Sequence, residues 1–314
     1  MKRTTLRIEH MSLIVTGTIG IDTVETPSAR RERVLGGSAA FFAAAACPLT
    51  PVRVVGVVGG DWPAEHRATL EGLSDVDLRG LETRANGKTF AWGGKYHENM
   101  NERETLFTDL GVVGEAPPIV PSVFADSQYV FLGNTHPAVQ RGLLTQLPQR
   151  KIAIADTMDL WINIAHGELM KLLGEVDGLV LNDSEAALLT GVRNAVTAGE
   201  RILAYGPKFV VVKKGEHGAV LVHREGVAAV PAFPATEDMV IDPTGAGDSF
   251  AGGMMGHIAR MGSTDFATLQ DALTWGTVMA SFTIGGFSLD GLRHATPEAI
   301  AQRLARFRDA ARIA

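Results

Sequence analysis

Continuous apolar runs alternate with segments of helical periodicity along the first two thirds of the chain. Runs of Val, Ile and Leu without polar residues between them are typical of strands that are covered on both faces. They predict strands at Ser12–Gly17, Val52–Val58, Gln128–Leu132, Lys151–Asp156, Gly178–Leu181 and Lys208–Lys213. The intervening segments predict helices at Ser38–Cys47, Pro63–Leu73, Pro137–Leu147, Gly167–Leu173, Ser184–Leu189 and Ala195–Tyr205. This alternation is typical of an α/β fold with a doubly wound, mostly parallel sheet sandwiched by helices.

Two segments break the alternation and predict a small β lid beside the main sheet. Residues 22–35 contain two strand-like pieces on either side of the turn-forming Thr26-Pro27-Ser28. Lys88–His97 alternates polar and aromatic positions and leads through a turn into Glu104–Thr108. Such pieces do not fit into a parallel sheet, so we expect a lid built from about residues 22–35 and 88–108. A surface hairpin without a function is the alternative.

The last third of the chain has a different pattern. Two strand-like segments, Gly218–His223 and Gly226–Phe233, are followed by three segments of helical periodicity. The predicted helices are Gly247–Met261, Asp265–Thr283 and Pro297–Ala311. Only short loops separate the elements, so we expect one domain over residues 1–314.

Composition and charge exclude several classes of protein. The 314 residues carry a net charge of −6 without a basic stripe, which argues against nucleic acid as a partner. The single cysteine, Cys47, excludes a disulfide within the chain and a multi-cysteine zinc site. The polar segment Met1–Met11 lacks the apolar core of a signal peptide, and no apolar run approaches the ~20 residues of a membrane span. We therefore expect a soluble, cytoplasmic protein that does not bind membranes.

The strongest chemical signal is the segment Asp242–Phe250, Asp-Pro-Thr-Gly-Ala-Gly-Asp-Ser-Phe, between the strand-like Met239–Ile241 and a helix. Its glycines permit a tight turn, and the backbone N–H groups from Gly245 through Ala246 to Gly247 are offered at a helix N-terminus. Such a site suits the negative charge of a transferring phosphoryl group. Asp248, in the first helical turn, can accept the proton of an incoming hydroxyl. A helix-capping carboxylate is the structural alternative for Asp248.

Other catalytic motifs are incomplete. Gly87-Lys88-Thr89 ends like a P-loop, but Glu82 occupies the position of the first glycine. No Gly-x-Gly-x-x-Gly follows the first predicted strand, which argues against a dinucleotide-binding dehydrogenase.

The segment Asp242–Asp248 resembles the C-terminal signature of the ribokinase-like (PfkB-type) carbohydrate kinases, and the resemblance extends over nearly the whole chain. Gly17–Asp22 is similar to the family's first strand with its sugar-binding aspartate, and Leu35–Ser38 to its diglycine motif. Leu181–Glu185 is similar to the Asn-x-x-Glu segment, and Lys213–Gly218 to the nucleotide-binding turn. The resemblance implies the ribokinase-like fold and an ATP-dependent kinase that phosphorylates a hydroxymethyl group on a small sugar-like substrate.

The resemblance also implies the residues that bind the phosphate acceptor. Asp22, Gly36, Gly37 and Asn134 are expected to bind its hydroxyl groups. In the lid, Asn101, Arg103 and His97 are the candidates for further polar contacts.

For the nucleotide and the ions, the resemblance implies ATP, Mg²⁺ and a monovalent cation such as K⁺. Magnesium is expected near Asn182 and Glu185, mostly through water. The adenine is expected between a turn with Lys213, Gly215 and Gly218 and the helical segment 276–283. Asp242 and Thr244 are the candidate ligands of the monovalent cation.

Departures from the family pattern leave the acceptor open. Phe41 stands where the family often has a sugar-contacting asparagine, and Gly20 stands where ribokinases carry a polar residue. A nucleoside kinase is the first alternative to a sugar kinase, because Phe41, Phe90 and Trp92 could stack on a base. A non-catalytic sugar-sensing protein on the same fold is the remote alternative. A homodimer in which two subunits contact each other through the lid is a further expectation.

Overall fold

A computed structural model describes residues 12–311, and a nine-stranded sheet forms its centre. The predicted polar segment Met1–Met11 lies outside the described residues. The strands, in their order across the sheet, are β13 (Gly226–Val230), β12 (Ala219–His223), β11 (Phe209–Lys213), β10 (Gly178–Asn182), β9 (Ile152–Asp156), β8 (Tyr129–Leu132), β1 (Leu13–Thr16), β4 (Val52–Gly59) and β5 (Val76–Arg84). All neighbours from β11 to β5 are parallel, whereas β12 and β13 are antiparallel.

The order of the strands reverses between β1 and β8. From β1 the chain adds β4 and β5 on one side, and β8 to β11 on the other. The carboxyl ends of parallel strands at such a switch point leave a crevice in which ligands of open α/β sheets bind. The sequence places Thr16-Gly17-Thr18, Asn134 and Asp156 directly at or after these strand ends.

Helices cover both faces of the sheet because its Val, Ile and Leu side chains point to both sides. One face packs against α1 (Ser38–Ala46), α2 (Ala64–Glu71), α8 (Ala246–Met261), α9 (Phe266–Thr283) and α10 (Pro297–Ala310). The other face packs against α3 (Pro137–Leu144), α4 (Asp159–Ile164), α5 (His166–Leu173), α6 (Asp183–Thr190) and α7 (Ala195–Leu203). The predicted α/β sandwich is confirmed.

A second sheet of four strands is built from the segments predicted to form a lid, and we call it the lid sheet. Its strands, in order, are β3 (Arg30–Gly36), β2 (Gly20–Glu25), β6 (Phe90–Tyr96) and β7 (Arg103–Asp109). Its inner face carries the buried side chains of Val24, Phe90, Trp92 and Tyr96. Near its base, Asp61 accepts hydrogen bonds from the backbone N–H (2.7 Å) and the hydroxyl (2.8 Å) of Thr89.

Three elements differ from the sequence-based predictions. Strand β5 and helix α4 were not predicted, because the charged residues of β5 lie at a half-exposed sheet edge and α4 has only six residues. The strand-like Met239–Ile241 is not a strand: Glu237–Met239 form a 3₁₀ turn instead.

Within the described part of the chain, no helix is long and apolar enough to cross a membrane. Cys47 is a free, buried cysteine.

Candidate active site

One cavity of about 320 Å³ lies at the carboxyl ends of β1, β8, β9, β10 and β11, under the lid sheet. It is lined by core loops from one side and by lid side chains from the other. Twelve of the sequence-predicted site residues border it: Asp22, Gly37, Arg103, Asn134, Asn182, Glu185, Lys213, Gly215, Thr244, Gly245, Gly247 and Asp248. The fold thus brings most of the expected site together, although these residues are separated by more than two hundred positions.

Asp22 is held against the diglycine segment. The Gly37 N–H donates to the Asp22 carboxylate, and a Cβ at Gly36 would overlap that carboxylate, so Gly36 supports Asp22 from behind without lining the cavity. Gly37 has a φ of 97°, which strongly favours glycine. Burial raises the pKa of Asp22 to about 8, and the negative charges of Asp242 and Asp248 add to this effect. The Asp22 Oδ1 is buried without a hydrogen-bond partner in the described structure, so it can accept one from a ligand.

Asn134 borders the cavity, but its side chain is already engaged. The Asn134 Oδ1 accepts a hydrogen bond from the Trp161 indole (2.8 Å), and its Nδ2 approaches the sulfur of Met158 (2.9 Å). The Trp161 ring also packs edge-on against the ring of His136, with centroids 5.2 Å apart. Asn134 therefore fixes the Trp161 ring at the cavity wall.

The glycine-rich loop enters α8 through a left-handed residue. Gly245 has a φ of 76°, and the ring of Phe41 fills the space where a side chain at this position would lie. The Ala246 N–H donates to the carbonyl of Pro243 (3.1 Å), and Ala246 does not line the cavity. The Ala246 N–H therefore has a partner within the turn, and the amides of Gly245 and Gly247 are the stronger candidates for the anion site. A Cβ at Gly247 would lie 2.8 Å from the Nζ of Lys213, so glycine leaves room for that ammonium group.

Asp248 lies among charges of both signs. The pKa of Asp248 is raised to about 7, mainly by burial and then by the carboxylate of Asp156, and the cations Lys213 and Arg103 oppose the shift. The carboxyl of Glu185 behaves alike: burial raises its pKa to about 7, with Asp156 adding to the effect. A carboxylate with a pKa near neutrality is suited to accept a proton at physiological pH. Asp156 is buried and borders the cavity, and sequence reasoning missed it.

Asn182 and Glu185 form a capping box at the start of α6. The Asn182 Oδ1 accepts from the Glu185 N–H (2.8 Å), and the Glu185 Oε2 accepts from the Asn182 N–H (2.7 Å). Both residues also border the cavity, so capping fixes the direction in which they face it.

Asp242 and Thr244 lie at the base of the glycine-rich loop. The Thr244 N–H donates to the Asp242 Oδ1 (2.8 Å), whereas the Asp242 Oδ2 is fully buried without a partner in the described structure. Burial raises the pKa of Asp242 to about 6. The Thr244 hydroxyl donates to the hydroxyl of Tyr96 in the lid sheet, at 3.2 Å. A buried carboxylate oxygen without a partner is a suitable ligand for a cation.

The turn after β11 meets the tip of the lid. Gly215 has a φ of 53°, and a Cβ at this position would lie 3.1 Å from the Oδ1 of Asn101. Asn101 and His97 are exposed and do not line the cavity, and Gly218, with a φ of 86°, packs against Val230 outside it. Asn101 therefore faces the expected nucleotide side.

The remaining wall of the cavity is apolar and was only partly predicted. Phe90 and Trp92 line it together, as their spacing of two on β6 indicates. The other apolar side chains of this wall are Leu110, Val113, Met158, Leu160 and Trp161. Met158 lies in the loop after β9, and Leu160 and Trp161 lie in α4. The sequence of this segment carries no motif that marks it as part of a site.

Comparisons with known proteins agree with this geometry. Residues 20–291 match the profile of the pfkB family carbohydrate kinases. The cytidine kinase of Thermococcus kodakarensis is 31% identical over 263 residues, which cover 80% of this chain and 89% of that protein.

Solved structures show the same fold. The nucleoside kinase of Burkholderia thailandensis in complex with inosine has a TM-score of 0.74 at 21% identity, over 94% of this chain and 98% of that one. A putative ribokinase II from E. coli in complex with ATP and Mg²⁺ has a TM-score of 0.76 at 18% identity, over 94% of this chain and 99% of that one. Together with the profile match and the cytidine kinase relative, the site identifies this chain as a member of the pfkB family of carbohydrate kinases, and hence as a phosphotransferase.

Proposed function

We propose that the enzyme transfers the γ-phosphoryl group of ATP to the hydroxymethyl group of a nucleoside. The observation that carries this proposal is one continuous cavity that joins the glycine-rich loop to an apolar wall. Gly245, Gly247 and Asp248 border its phosphoryl end, and the rings of Trp92 and Trp161 belong to its apolar wall. A free sugar has little apolar surface to bury against such a wall, whereas a nucleobase can pack on it. The likeness to a cytidine kinase supports the same acceptor.

Asp22 would bind the ribose part of the acceptor. Its Oδ1 lacks a partner, so a ribose hydroxyl can donate to it, and the N–H of Gly37 keeps the carboxylate in position. This arrangement leaves the hydroxymethyl group of the ribose to point toward Asp248 while the base lies on the apolar wall.

Asp248 would act as the general base. Its pKa of about 7 means that a large fraction is ionised at neutral pH while it remains basic enough to take the hydroxyl proton. The acceptor oxygen then attacks the γ-phosphorus in line with the leaving ADP. The amides of Gly245 and Gly247 and the ammonium of Lys213 stabilise the charge on the phosphoryl oxygens.

The donor side of the cavity fits ATP with magnesium. Asn182 and Glu185 offer an amide and a carboxylate near the phosphate end, where they would hold magnesium through water. Magnesium supplies charge neutralisation on the ATP phosphates. The adenine would lie beside the turn with Lys213, Gly215 and Gly218, toward helix α9. We propose that the enzyme acts in the cytoplasm, where ATP is available.

A monovalent cation would bind beside the glycine-rich loop. The buried, unpartnered Oδ2 of Asp242 fits this role, and Thr244 supplies further oxygen atoms next to it. Potassium is the candidate because a cage of carboxylate, hydroxyl and carbonyl oxygens with one negative charge suits a large monovalent ion.

The lid sheet offers a surface for a homodimer. All seven residues of β7 are exposed, and among them Leu106 and Phe107 are 44% and 45% exposed. An edge strand with apolar side chains can pair with a second copy. Light scattering on the purified enzyme would test this, since a monomer at micromolar concentration contradicts it.

A screen of acceptors tests the proposed function. ADP release is measured with nucleosides, pentoses, hexoses and keto-deoxy acids, and mass spectrometry identifies the product. We expect the highest kcat/KM with a nucleoside and no product from its 5′-deoxy analogue. A free sugar as the best acceptor would favour the second candidate, a sugar kinase, which the hydroxyl-binding geometry of Asp22 and Gly37 also supports. No turnover with any acceptor would point to a sugar-sensing protein.

Asp248→Asn is the matched active-site control for this screen. We expect it to fold and bind nucleotide while its kcat falls by about 10²–10⁴, the usual contribution of a general base. Turnover within about threefold of wild type would reduce Asp248 to a helix-capping residue.

A further inference from the structure

Two lid residues reach the phosphoryl end of the cavity. Tyr96 on β6 and Arg103 on β7 are directly opposite each other in the antiparallel ladder, and both border the cavity. The Tyr96 hydroxyl accepts a hydrogen bond from the Thr244 hydroxyl (3.2 Å), one residue before Gly245. The lid sheet thus contacts the glycine-rich loop itself.

Arg103 brings a positive charge to this place. Its guanidinium lies over the Trp92 ring, 5.4 Å from the centroid, and interacts with the Tyr96 hydroxyl. Among residues 12–311, no carboxylate lies within 4.0 Å of this guanidinium. Its charge acts on Asp248 and Glu185, and it lowers the pKa of both carboxyl groups. The cation therefore faces the phosphoryl end of the cavity.

The chemistry of the two substrates decides what this cation binds. A nucleoside has no negative charge, so the acceptor offers no counter-ion to Arg103. The phosphoryl group under transfer carries negative charge on three equatorial oxygens, and a planar guanidinium can donate two parallel hydrogen bonds to such a group. At this position Arg103 is therefore better suited to bind phosphate than to bind the acceptor, which was the expectation from the sequence.

We propose that Arg103 is a further catalytic residue that binds the transferring phosphoryl group when the lid is seated, and that Tyr96 is a positioning residue that docks the lid on Thr244. This inference rests on the proposed kinase function but not on the identity of the acceptor. In the step, the bond from the γ-phosphorus to the β,γ-bridging oxygen breaks and ADP leaves with the electron pair. The acceptor oxygen bonds to phosphorus, Asp248 takes its proton, and Arg103 only donates hydrogen bonds.

Placement of this cation on the lid couples closure to chemistry. With the lid open, the phosphoryl group lacks one of its cationic partners, so water that reaches ATP meets an incomplete site. With the lid seated on the acceptor, Trp92 and Tyr96 hold the guanidinium at the glycine-rich loop. The arrangement would favour transfer to the acceptor over hydrolysis.

Kinetics of Arg103→Ala, with the best acceptor of the wild-type enzyme, test the proposal. We expect kcat to fall by about 10²–10³-fold, the usual effect of one lost donor to a developing anion, with the acceptor KM within threefold. Arg103→Lys should be intermediate, because it keeps the charge but loses the bidentate geometry. Added guanidinium ion should restore part of the Arg103→Ala rate. Tyr96→Phe should lower kcat about fivefold to tenfold at unchanged acceptor KM, since its ring stays in the wall.

Lys95→Ala is the matched control, because Lys95 neighbours Tyr96 on β6, pairs with Glu25 (2.7 Å) and does not line the cavity. We expect wild-type kinetics for it. A binding measurement needs no turnover: with an analogue of the best acceptor that lacks the phosphorylated hydroxyl present to seat the lid, Arg103→Ala should weaken ADP with fluoroaluminate at least tenfold more than ADP alone. A raised acceptor KM with unchanged kcat, or equal losses for the two nucleotide probes, would overturn the proposal. Failure of the proposed acceptor is separate, since it appears in the wild-type screen.

Discussion

Asp156 and Lys213 lie at the carboxyl ends of β9 and β11, and their opposite charges interact across the end of β10. The Asp156 carboxylate also raises the pKa of Asp248 and of Glu185. Asp156 thus has two effects on the site. It helps to hold the Lys213 ammonium over Gly247, and it helps to keep the pKa of Asp248, the proposed base, at about 7.

Replacement of Asp156 by Asn should change the pH profile. In the wild type, kcat/KM should fall as the pH decreases below about 7, because Asp248 with a pKa of about 7 becomes protonated. Without the neighbouring negative charge the pKa of Asp248 decreases, so the acid limb of Asp156→Asn should move to lower pH. Its ATP KM should rise, because Lys213 loses its counter-charge. Asp159→Asn, an exposed carboxylate three residues on, is the control, and coinciding acid limbs for all three proteins would contradict the prediction.

Asp22 should make the free enzyme less stable as the pH rises from 5 to 8. Its pKa is about 8 in the folded protein and about 4 in an unfolded chain, so the folded state binds this proton more tightly. The stability that depends on it is therefore present below pH 4 and is lost as the pH rises toward 8. Asp22→Asn removes this loss: its Tm relative to wild type should increase between pH 5 and pH 8, while its acceptor KM rises at least tenfold.

Differential scanning fluorimetry over this pH range measures the effect of Asp22→Asn. Asp126→Asn serves as the control, because the Arg53 guanidinium holds the pKa of that exposed carboxyl below its usual value. A Tm difference between Asp22→Asn and wild type that is constant from pH 5 to pH 8 would show that Asp22 is ionised throughout.

Gly245→Ala should damage both the fold and the reaction. A side chain at a φ of 76° costs about 1–2 kcal/mol, and the new Cβ would also meet the ring of Phe41. Displacement of the loop removes one amide donor, so we expect kcat to fall about 10²-fold. Gly142→Ala in α3 is the control, since nothing lies within 4 Å of its added Cβ, and it should gain about 0.4–1 kcal/mol. Urea unfolding and kcat measure both effects. Wild-type turnover of Gly245→Ala would mean that the loop does not bind the phosphoryl group.

The sequence predicts the central sheet and much of the site for identifiable physical reasons. Strands such as β10 and β11 are buried on both faces and therefore appear as uninterrupted apolar runs. The edge strand β5 has charged, half-exposed positions, so no such run marks it. Asp248 and the two glycines before it are contiguous, and a contiguous motif is visible without a structure.

The site features that could not be predicted from the sequence depend on how distant segments pair in the fold. Asp156 ends a predicted strand, and nothing in its neighbourhood distinguishes it from an ordinary strand-end carboxylate. The pairing of Tyr96 with Arg103 depends on an irregularity of the ladder between Gly93 and Gly94. A motif also does not reveal its internal turn, so the bond from the Ala246 N–H to Pro243 became apparent only in the structure.

Potassium should activate the enzyme. A monovalent cation would neutralise the fully buried Asp242 and satisfy its unpartnered Oδ2, which holds the loop from Asp242 to Gly245 in place for the phosphoryl group. Initial rates should be severalfold higher in potassium than in tetramethylammonium buffer at equal ionic strength. Asp242→Asn should lose this difference, and Asp238→Asn, on the exposed turn just before it, should keep it. Equal wild-type rates in the two buffers would remove the cation from the mechanism.

Asn101 should affect the nucleotide more than the acceptor. The lid tip brings its side-chain oxygen over Gly215, in the turn that we assign to the nucleotide, and Asn101 does not line the cavity. Loss of one hydrogen-bonding group at this contact, worth about 1 kcal/mol, should raise the ATP KM of Asn101→Ala about fivefold. The acceptor KM should stay within twofold, and ATP hydrolysis per product formed should increase because the lid closes less tightly. Glu98→Ala, an exposed residue of the same turn, is the control. If the acceptor KM rises while the ATP KM is unchanged, Asn101 binds the acceptor, as the sequence alone had indicated.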